Sequence, residues 1–265
     1  MVKQKNYRLY LLVLLLIFFT ACAGIAPADG LSVRVQPDPA SVFTGKTTRI
    51  FIDVINNDVK TYKNVYAEIF DMGVMRDGSC SQTSNEIRPG SLSTLQCTLR
   101  APDSITGPVF RNNVHVRATY DSTVSGIAII EAMTEDEYNR LKDAGKLRQL
   151  PLYYSFSDRN LKVEAEFDEN PYVFVAGRKY YMKIKITNIG NGFAEQITFD
   201  KSTNIADRLG IVNCGAVTLR PVGKEFPTIT CELTPQPQRL EGYDIGININ
   251  YKYDVRASTS VDIVR

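Results

Sequence analysis

The sequence has no tryptophan and only one histidine, His115, among its 265 residues. One histidine cannot build a multi-histidine metal site, and a serine–histidine–aspartate triad would have to use His115. The sequence also has no Gly-x-Ser-x-Gly motif and no glycine-rich phosphate loop between a strand and a helix. We therefore expect no enzymatic activity, no cofactor and no metal.

Excess basic charge is also missing from most of the chain. The formal net charge is +2, but Lys3, Lys5 and Arg8 supply three of the 31 Lys and Arg residues. The remaining 28 face 29 Asp and Glu residues. Because no basic field remains to attract phosphates, we expect no nucleic-acid partner.

The N-terminus has the pattern of an export signal. Its three cations precede an unbroken apolar run, Leu9 to Phe19, which ends in the small residues 20–24. A basic region, a short apolar region and a small-residue exit are typical of a secretory signal. The rest of the chain is therefore expected on the extracytoplasmic side of a membrane, at the cell surface.

The segment Phe19-Thr20-Ala21-Cys22 resembles the lipobox of prokaryotic lipoproteins, although Phe19 departs from the usual Leu, Val or Ile. The resemblance implies cleavage before Cys22 and lipidation of its thiol. The chain has five cysteines, and the odd one in an exported protein needs an explanation. Two alternatives stay open: cleavage at an Ala-x-Ala site, which would release the protein, or retention of 9–26 as a transmembrane anchor.

The chain repeats itself at an offset of 132 residues. The matches are Leu31-x-Val33-x-Val35 with Val163-x-Ala165-x-Phe167, Pro39 with Pro171, Gly45-Lys46 with Gly177-Arg178, Ile52-x-Val54-x-Asn56 with Ile184-x-Ile186-x-Asn188, and Arg88-Pro89 with Arg220-Pro221. With a slip of two residues, Cys80 and Cys97 fall on Cys214 and Cys231. Because these matches keep their order and spacing, we interpret them as a tandem duplication.

Each copy predicts an all-β unit of short alternating strands separated by turns. The expected strands are 31–36, 47–55, 64–70, 91–100, 113–120 and 124–131 in the first copy, and 161–167, 179–187, 194–200, 223–233, 243–253 and 256–264 in the second. Such spacing without helix alternation favours antiparallel two-sheet sandwiches. We expect a signal or anchor at 1–21, a linker at 22–30, sandwiches at 31–132 and 160–265, and a spacer at 133–159.

One helix is expected within the spacer. Thr134 and Glu137 have the spacing of a capping box, and Gly145 is a suitable stop. The simplest interpretation is a helix that packs on one sandwich and fixes the angle between the two. A docking element for a partner is the alternative.

The four remaining cysteines are expected to form two structural disulfides, Cys80–Cys97 and Cys214–Cys231. An exported compartment permits such bonds. No Cys-x-x-Cys occurs, which argues against a metal site. Carboxylates in the segment 164–169 offer a weak calcium site, but their alternation with apolar residues fits a solvated strand face better.

The segment Ile184-Lys185-Ile186-Thr187-Asn188-Ile189-Gly190-Asn191-Gly192-Phe193-Ala194 is similar to the signature of CARDB-type domains. In these an alternating strand leads to Asn-x-Gly and then to the next strand. The first copy keeps Asn56 but has Asp58 in place of the glycine. The resemblance implies tandem immunoglobulin-like folds on bacterial or archaeal surface proteins, with roles in adhesion or envelope assemblies.

We therefore expect a non-catalytic, membrane-anchored extracytoplasmic protein that binds another cell-envelope protein, with strand addition at an exposed sheet edge as the mechanism. A polysaccharide-binding module is the first alternative, and it predicts a planar row of exposed tyrosines. A hydrolase is the second, and it predicts a pocket where His115 meets carboxylates.

Overall fold

The computed structural model describes residues 30–81, 85–168, 173–200 and 217–265. The strands are β1 (Leu31–Asp38), β2 (Ser41–Phe43), β3 (Thr47–Asn56), β4 (Tyr62–Asp71), β5 (Arg76–Cys80), β6 (Glu86–Ile87), β7 (Leu92–Arg100), β8 (Val109–Met133), β9 (Tyr153–Ser157), β10 (Leu161–Phe167), β11 (Phe174–Val175), β12 (Tyr180–Asn188), β13 (Phe193–Asp200), β14 (Val217–Leu219), β15 (Ile229–Leu233) and β16 (Glu241–Val264). Helix α1 (Glu135–Asp143) lies between β8 and β9. The described residues are therefore mostly in β-strands, which confirms the expected all-β class.

The strands form three sheets. Two small sheets have the orders β1-β3-β7-β5 and β15-β12-β10-β9, and a large eight-stranded sheet has the order β14-β13-β16-β8-β4-β6, with β2 on β16 and β11 on β8. We call residues 30–133 the first half and residues 153–265 the second half. Buried apolar side chains of all three sheets form one cluster, so the arrangement is sandwich-like across both halves.

The alternation along the strands explains this burial. On β3 the side chains of Ile50, Ile52 and Val54 are fully buried, and the residues between them are not. Strand β12 follows the same pattern, with Met182, Ile184 and others facing inward. Period-two patterning of this kind buries one face of an antiparallel sheet and leaves the other in water.

The two halves share the same strand register, which supports the duplication. Asn56 lies opposite Leu31, and its counterpart Asn188 lies opposite Leu161. The first strands of the two halves, β1 and β10, therefore correspond at an offset of 130 residues, whereas Asn56 and Asn188 have an offset of 132. Val33 corresponds to Val163, so the sequence alignment of Val33 with Ala165 was wrong by two residues. Near the other end of the small sheets, Cys97 pairs with Ile50 and Cys231 pairs with Met182, as the two-residue slip of the cysteines requires.

Strands β8 and β16 are each one continuous strand, where the sequence predicted two. The expected breaks lie at 121–123 and at 254–255, and these positions hold no Gly, Pro or Asn. Tight hairpins need residues that accept positive φ, so nothing at these positions forces a turn. The two long strands instead pair with each other from Val109–Val264 to Ala132–Glu241.

Helix α1 forms where the capping residues predict it. The Thr134 hydroxyl accepts a hydrogen bond from the Glu137 backbone N–H at 3.3 Å, and Gly145 follows with a φ of 64°. The helix has no fully buried residue. It is tied to the second half by an ion pair between Glu135 and Arg178 at 2.6 Å.

The core contains a buried tyrosine whose hydroxyl supports a turn. The Tyr253 hydroxyl accepts the Gly192 N–H at 2.9 Å and donates to Asn188 Oδ1 at 3.1 Å. We expect Tyr253→Phe to lower the free energy of unfolding by about 1–3 kcal/mol, because the buried Gly192 N–H loses its acceptor.

Chemical denaturation measures this loss, and Tyr181→Phe is the matched control, since Tyr181 is 40% exposed. Equal stability of the two variants would contradict the assigned role of the hydroxyl.

Candidate protein-binding edge

The edge of one small sheet is covered in the second half by a strand that the sequence did not predict. Strand β9 pairs antiparallel with β10, with Phe156 opposite Val163 and Tyr154 opposite Ala165. Beyond the paired residues, the Asp158 N–H donates to Leu161 O at 3.1 Å. The dense aromatic residues at 153–156 are the signal in the sequence from which this strand could have been predicted.

Strand β9 is held against β8 as well as β10. The Tyr154 hydroxyl donates to the backbone carbonyl of Ile129 on β8. The Phe156 ring lies over Gly126, where any Cβ would overlap the ring. Glycine at this position therefore lets β9 approach β8 closely.

Strand β1 occupies the position of β10 in the first half, but it is the outermost strand of its sheet among the described residues. The Asn57 N–H donates to Gly30 O at 3.0 Å, and the Ile189 N–H donates to Asn160 O at 2.8 Å. Hydrogen-bonded pairs therefore fall at equivalent positions in the β1–β3 and β10–β12 ladders. Because hydrogen-bonded and non-hydrogen-bonded pairs alternate, the N–H and C=O groups of Leu31, Val33 and Val35 point away from β3.

Side-chain burial shows what the added strand does. Val163 and Ala165 on β10, which lie opposite residues of β9 in the same sheet, are fully buried. Their counterparts Val33 and Val35 are only half-buried. Among the described residues, the first half therefore has an edge whose outward backbone groups meet no further strand and whose apolar side chains are partly exposed, whereas β9 covers the equivalent edge of β10 in the second half.

A second feature lies on the outer face of the large sheet. The Arg256 guanidinium lies 4.5 Å from the ring centroid of Phe193 and 5.4 Å from that of Phe70. Arg256 also pairs with the buried carboxylate of Asp254 at 2.9 Å. Beside it, Arg117 pairs with Glu68 at 2.6 Å, and this hydrogen bond raises the pKa of Arg117. The charges of this patch are thus largely satisfied within it.

A polar seam joins the two halves. The Lys60 ammonium lies 3.3 Å from Asp158, and Arg159 lies 3.9 Å from Asp58. Burial alone would raise the pKa of Asp58, but hydrogen bonds from the Tyr62 hydroxyl and the Val59 N–H, together with the nearby cations, lower it. Asp58 is therefore held in its charged form.

The cysteine predictions have different outcomes. Cys80 on β5 and Cys97 on β7 lie opposite each other and form the predicted disulfide. Cys231 is disulfide-bonded and fully buried. Its predicted partner Cys214 and the predicted lipidation site Cys22 both lie outside the described residues.

Among the described residues, His115 and the carboxylates of 164–168 lie in different parts of the fold, on the large sheet and beside the small sheet of the second half, and Asp71 on β4 lies opposite His115. His115 is half-buried on β8, with its ring 6.0 Å from that of Phe70. The carboxylates of the second half pair with lysines: Glu164 with Lys162, Glu166 with Lys185 and Asp168 with Lys183. Within the described ranges, no three His, Cys, Asp or Glu side chains are grouped so that they could hold a metal ion.

In the part of the chain that the structure describes, the most exposed tyrosines lie on different sheets. Tyr66 is on β4 of the large sheet, whereas Tyr153 and Tyr181 are on the small sheet of the second half. These three side chains therefore do not form one planar row.

No protein-family model matches the chain, and no curated protein matches it either. Within the part of the chain that the structure describes, no helix is both long and apolar enough to cross a membrane.

The contact between Gly126 and Phe156 can be tested directly. We expect Gly126→Val to displace β9, because a side chain at this position overlaps the Phe156 ring. Hydrogen exchange of the peptide 161–167 should then accelerate at Val163 and Ala165, whose amides face β9. Gly242→Val is the control, since a Cβ there meets nothing within 4 Å. Unchanged protection in the Gly126 variant would show that the ring contact does not hold β9.

The lowered pKa of Asp58 predicts a pH dependence. A carboxyl whose pKa is lower in the folded than in the unfolded state stabilises the fold above the unfolded pKa, and this stabilisation is lost as the pH falls below about 4. The thermal midpoint of the wild type should therefore fall more steeply with acid than that of Asp58→Asn. Asp244→Asn, at an exposed position on β16, should keep the wild-type slope.

Proposed function

We propose that this chain is a membrane-anchored, extracytoplasmic, non-catalytic protein that binds another protein of the cell envelope. In this proposal its body consists of two tandem immunoglobulin-like sandwiches of the CARDB type. The signal-like N-terminus and the sequence before Cys22 support export and anchoring. The repeated strand register supports two related units.

The observation that carries the binding role is the open edge of β1. The second half covers the equivalent edge with its own strand, β9, and this precedent in the related half supports the addition of a strand at β1. Main-chain hydrogen bonds at such an edge supply affinity, and alternate side-chain positions supply specificity. An extended segment of a partner protein is the ligand that these groups suit.

A proline substitution tests this role. We expect Val33→Pro to block the partner, because it removes the outward N–H while the pairing of β1 with β3 stays intact. Proline is tolerated on edge strands where the N–H faces away from the sheet. Val33→Thr is the matched control, since it keeps the N–H and nearly the same shape.

The measurement is cross-linking on intact cells followed by mass spectrometry of the linked peptides. Links from the β1 region to one envelope protein are expected in the wild type and in Val33→Thr, and their loss is expected in Val33→Pro. Persistence of the links in Val33→Pro, at an unchanged thermal midpoint, would refute strand addition at β1. Absence of protein links from the wild type would favour polysaccharide binding instead.

A further inference from the structure

The pairing of β8 with β16 is unusually long. The two strands contain 25 and 24 residues and stay in register along their whole length. Strands in globular proteins usually contain about 3–10 residues. Each of these strands is therefore long enough to serve as two ordinary strands in succession.

The two parts of each strand have neighbours in different halves. The first part of β8 pairs with β4, where Ala118 lies opposite Ala67. The first part of β16 pairs with β13, where Tyr251 lies opposite Ile197. Residues 121–132 of β8 continue past the first half and pair with residues 241–252, the first part of β16. In the same way, residues 253–264 of β16 continue past the second half and pair with residues 109–120, the first part of β8.

Two short parallel strands make the same reciprocal contacts. Strand β2 of the first half pairs with the end of β16, where Ile263 lies opposite Val42. Strand β11 of the second half pairs with the end of β8, where Ala132 lies opposite Phe174. Each half thus contacts the terminal strand segment that the other half supplies.

We infer that the two copies exchange their last strands, so that each sandwich is completed by a segment of the other. The first sandwich receives residues 254–264, and the second receives residues 121–133. This inference goes beyond the proposed binding function and does not depend on it.

The sequence at the crossing point explains why the hairpins stay open. Tyr120-Asp121 and Tyr253-Asp254 are the same dipeptide in the two copies, and Tyr120 lies opposite Tyr253 in the ladder. Both side chains are fully buried, with ring centroids 5.8 Å apart. A local two-fold relation between the halves therefore passes through this pair. Closing either hairpin here would require a turn of Asp, Ser, Thr, Val or Arg residues, none of which readily accepts positive φ except Asp.

Engineered disulfides distinguish exchanged from closed strands, because a cross-strand disulfide requires directly opposed residues. Asn113 lies opposite Ser260, and both are exposed. In a hairpin turning at Ser122, Asn113 would instead lie opposite Glu131. The test pair is Asn113→Cys with Ser260→Cys, and the control pair is Asn113→Cys with Glu131→Cys.

After mild oxidation, the proteins are digested and the linked peptides identified by mass spectrometry, with non-reducing electrophoresis to separate monomers from dimers. We expect the 113–260 link to form within a monomer and the 113–131 link to be absent. A 113–131 link, or a 113–260 link found only in dimers, would overturn the exchange within one chain.

A second pair of cysteine substitutions keeps the test decisive if the first double variant does not fold. Ser125 lies opposite Asn248 in the part of the ladder that belongs to the other sandwich. Ser125→Cys with Asn248→Cys should also link within a monomer. Absence of both links, at wild-type thermal midpoints, would equally overturn the inference. None of these outcomes depends on the presence of a binding partner.

Discussion

The antiparallel ladder between β8 and β16 is the interaction on which the rest of the structure depends. It joins the two halves into one large sheet, and both small sheets pack against it. The ladder runs unbroken through 121–123 and 254–255, where Gly, Pro and Asn, the residues that most readily form tight turns, are missing. Removing this pairing would expose the apolar faces of both small sheets at once, so the stabilities of the two halves are coupled.

The turns after β3 and β12 show how one asparagine organises each half. Asn56 Nδ2 donates to Lys60 O, and Asn188 Nδ2 donates to Gly192 O, each across four residues. The Oδ1 atoms accept the N–H groups of Asp58 and Gly190, two residues further along the chain. Asparagine side chains are suited to such local bonds, because they replace the backbone partners that a turn leaves open.

The sequence contained enough information for these local features and less for the long-range ones. The alternation at β3 and β12, the asparagine turns, the capped helix and the Cys80–Cys97 bond each depend on residues close together in sequence. The continuity of β8 and β16 depends instead on what each strand meets across the molecule. Strand β9 was missed for the same reason, since Phe156 becomes a strand residue by packing on Gly126, far from it in sequence.

The composition of β1 limits what can add to its edge. The outward backbone groups belong to Leu31, Val33 and Val35, and Pro37 has no N–H to continue the row. An added strand can therefore be only about as long as β9, which pairs with five residues of β10. The exposed charges of Arg34 and Asp38, together with Pro37, are features that keep edge strands from indiscriminate pairing. An edge that is short, partly apolar and closed by proline suits one partner strand better than open-ended sheet assembly.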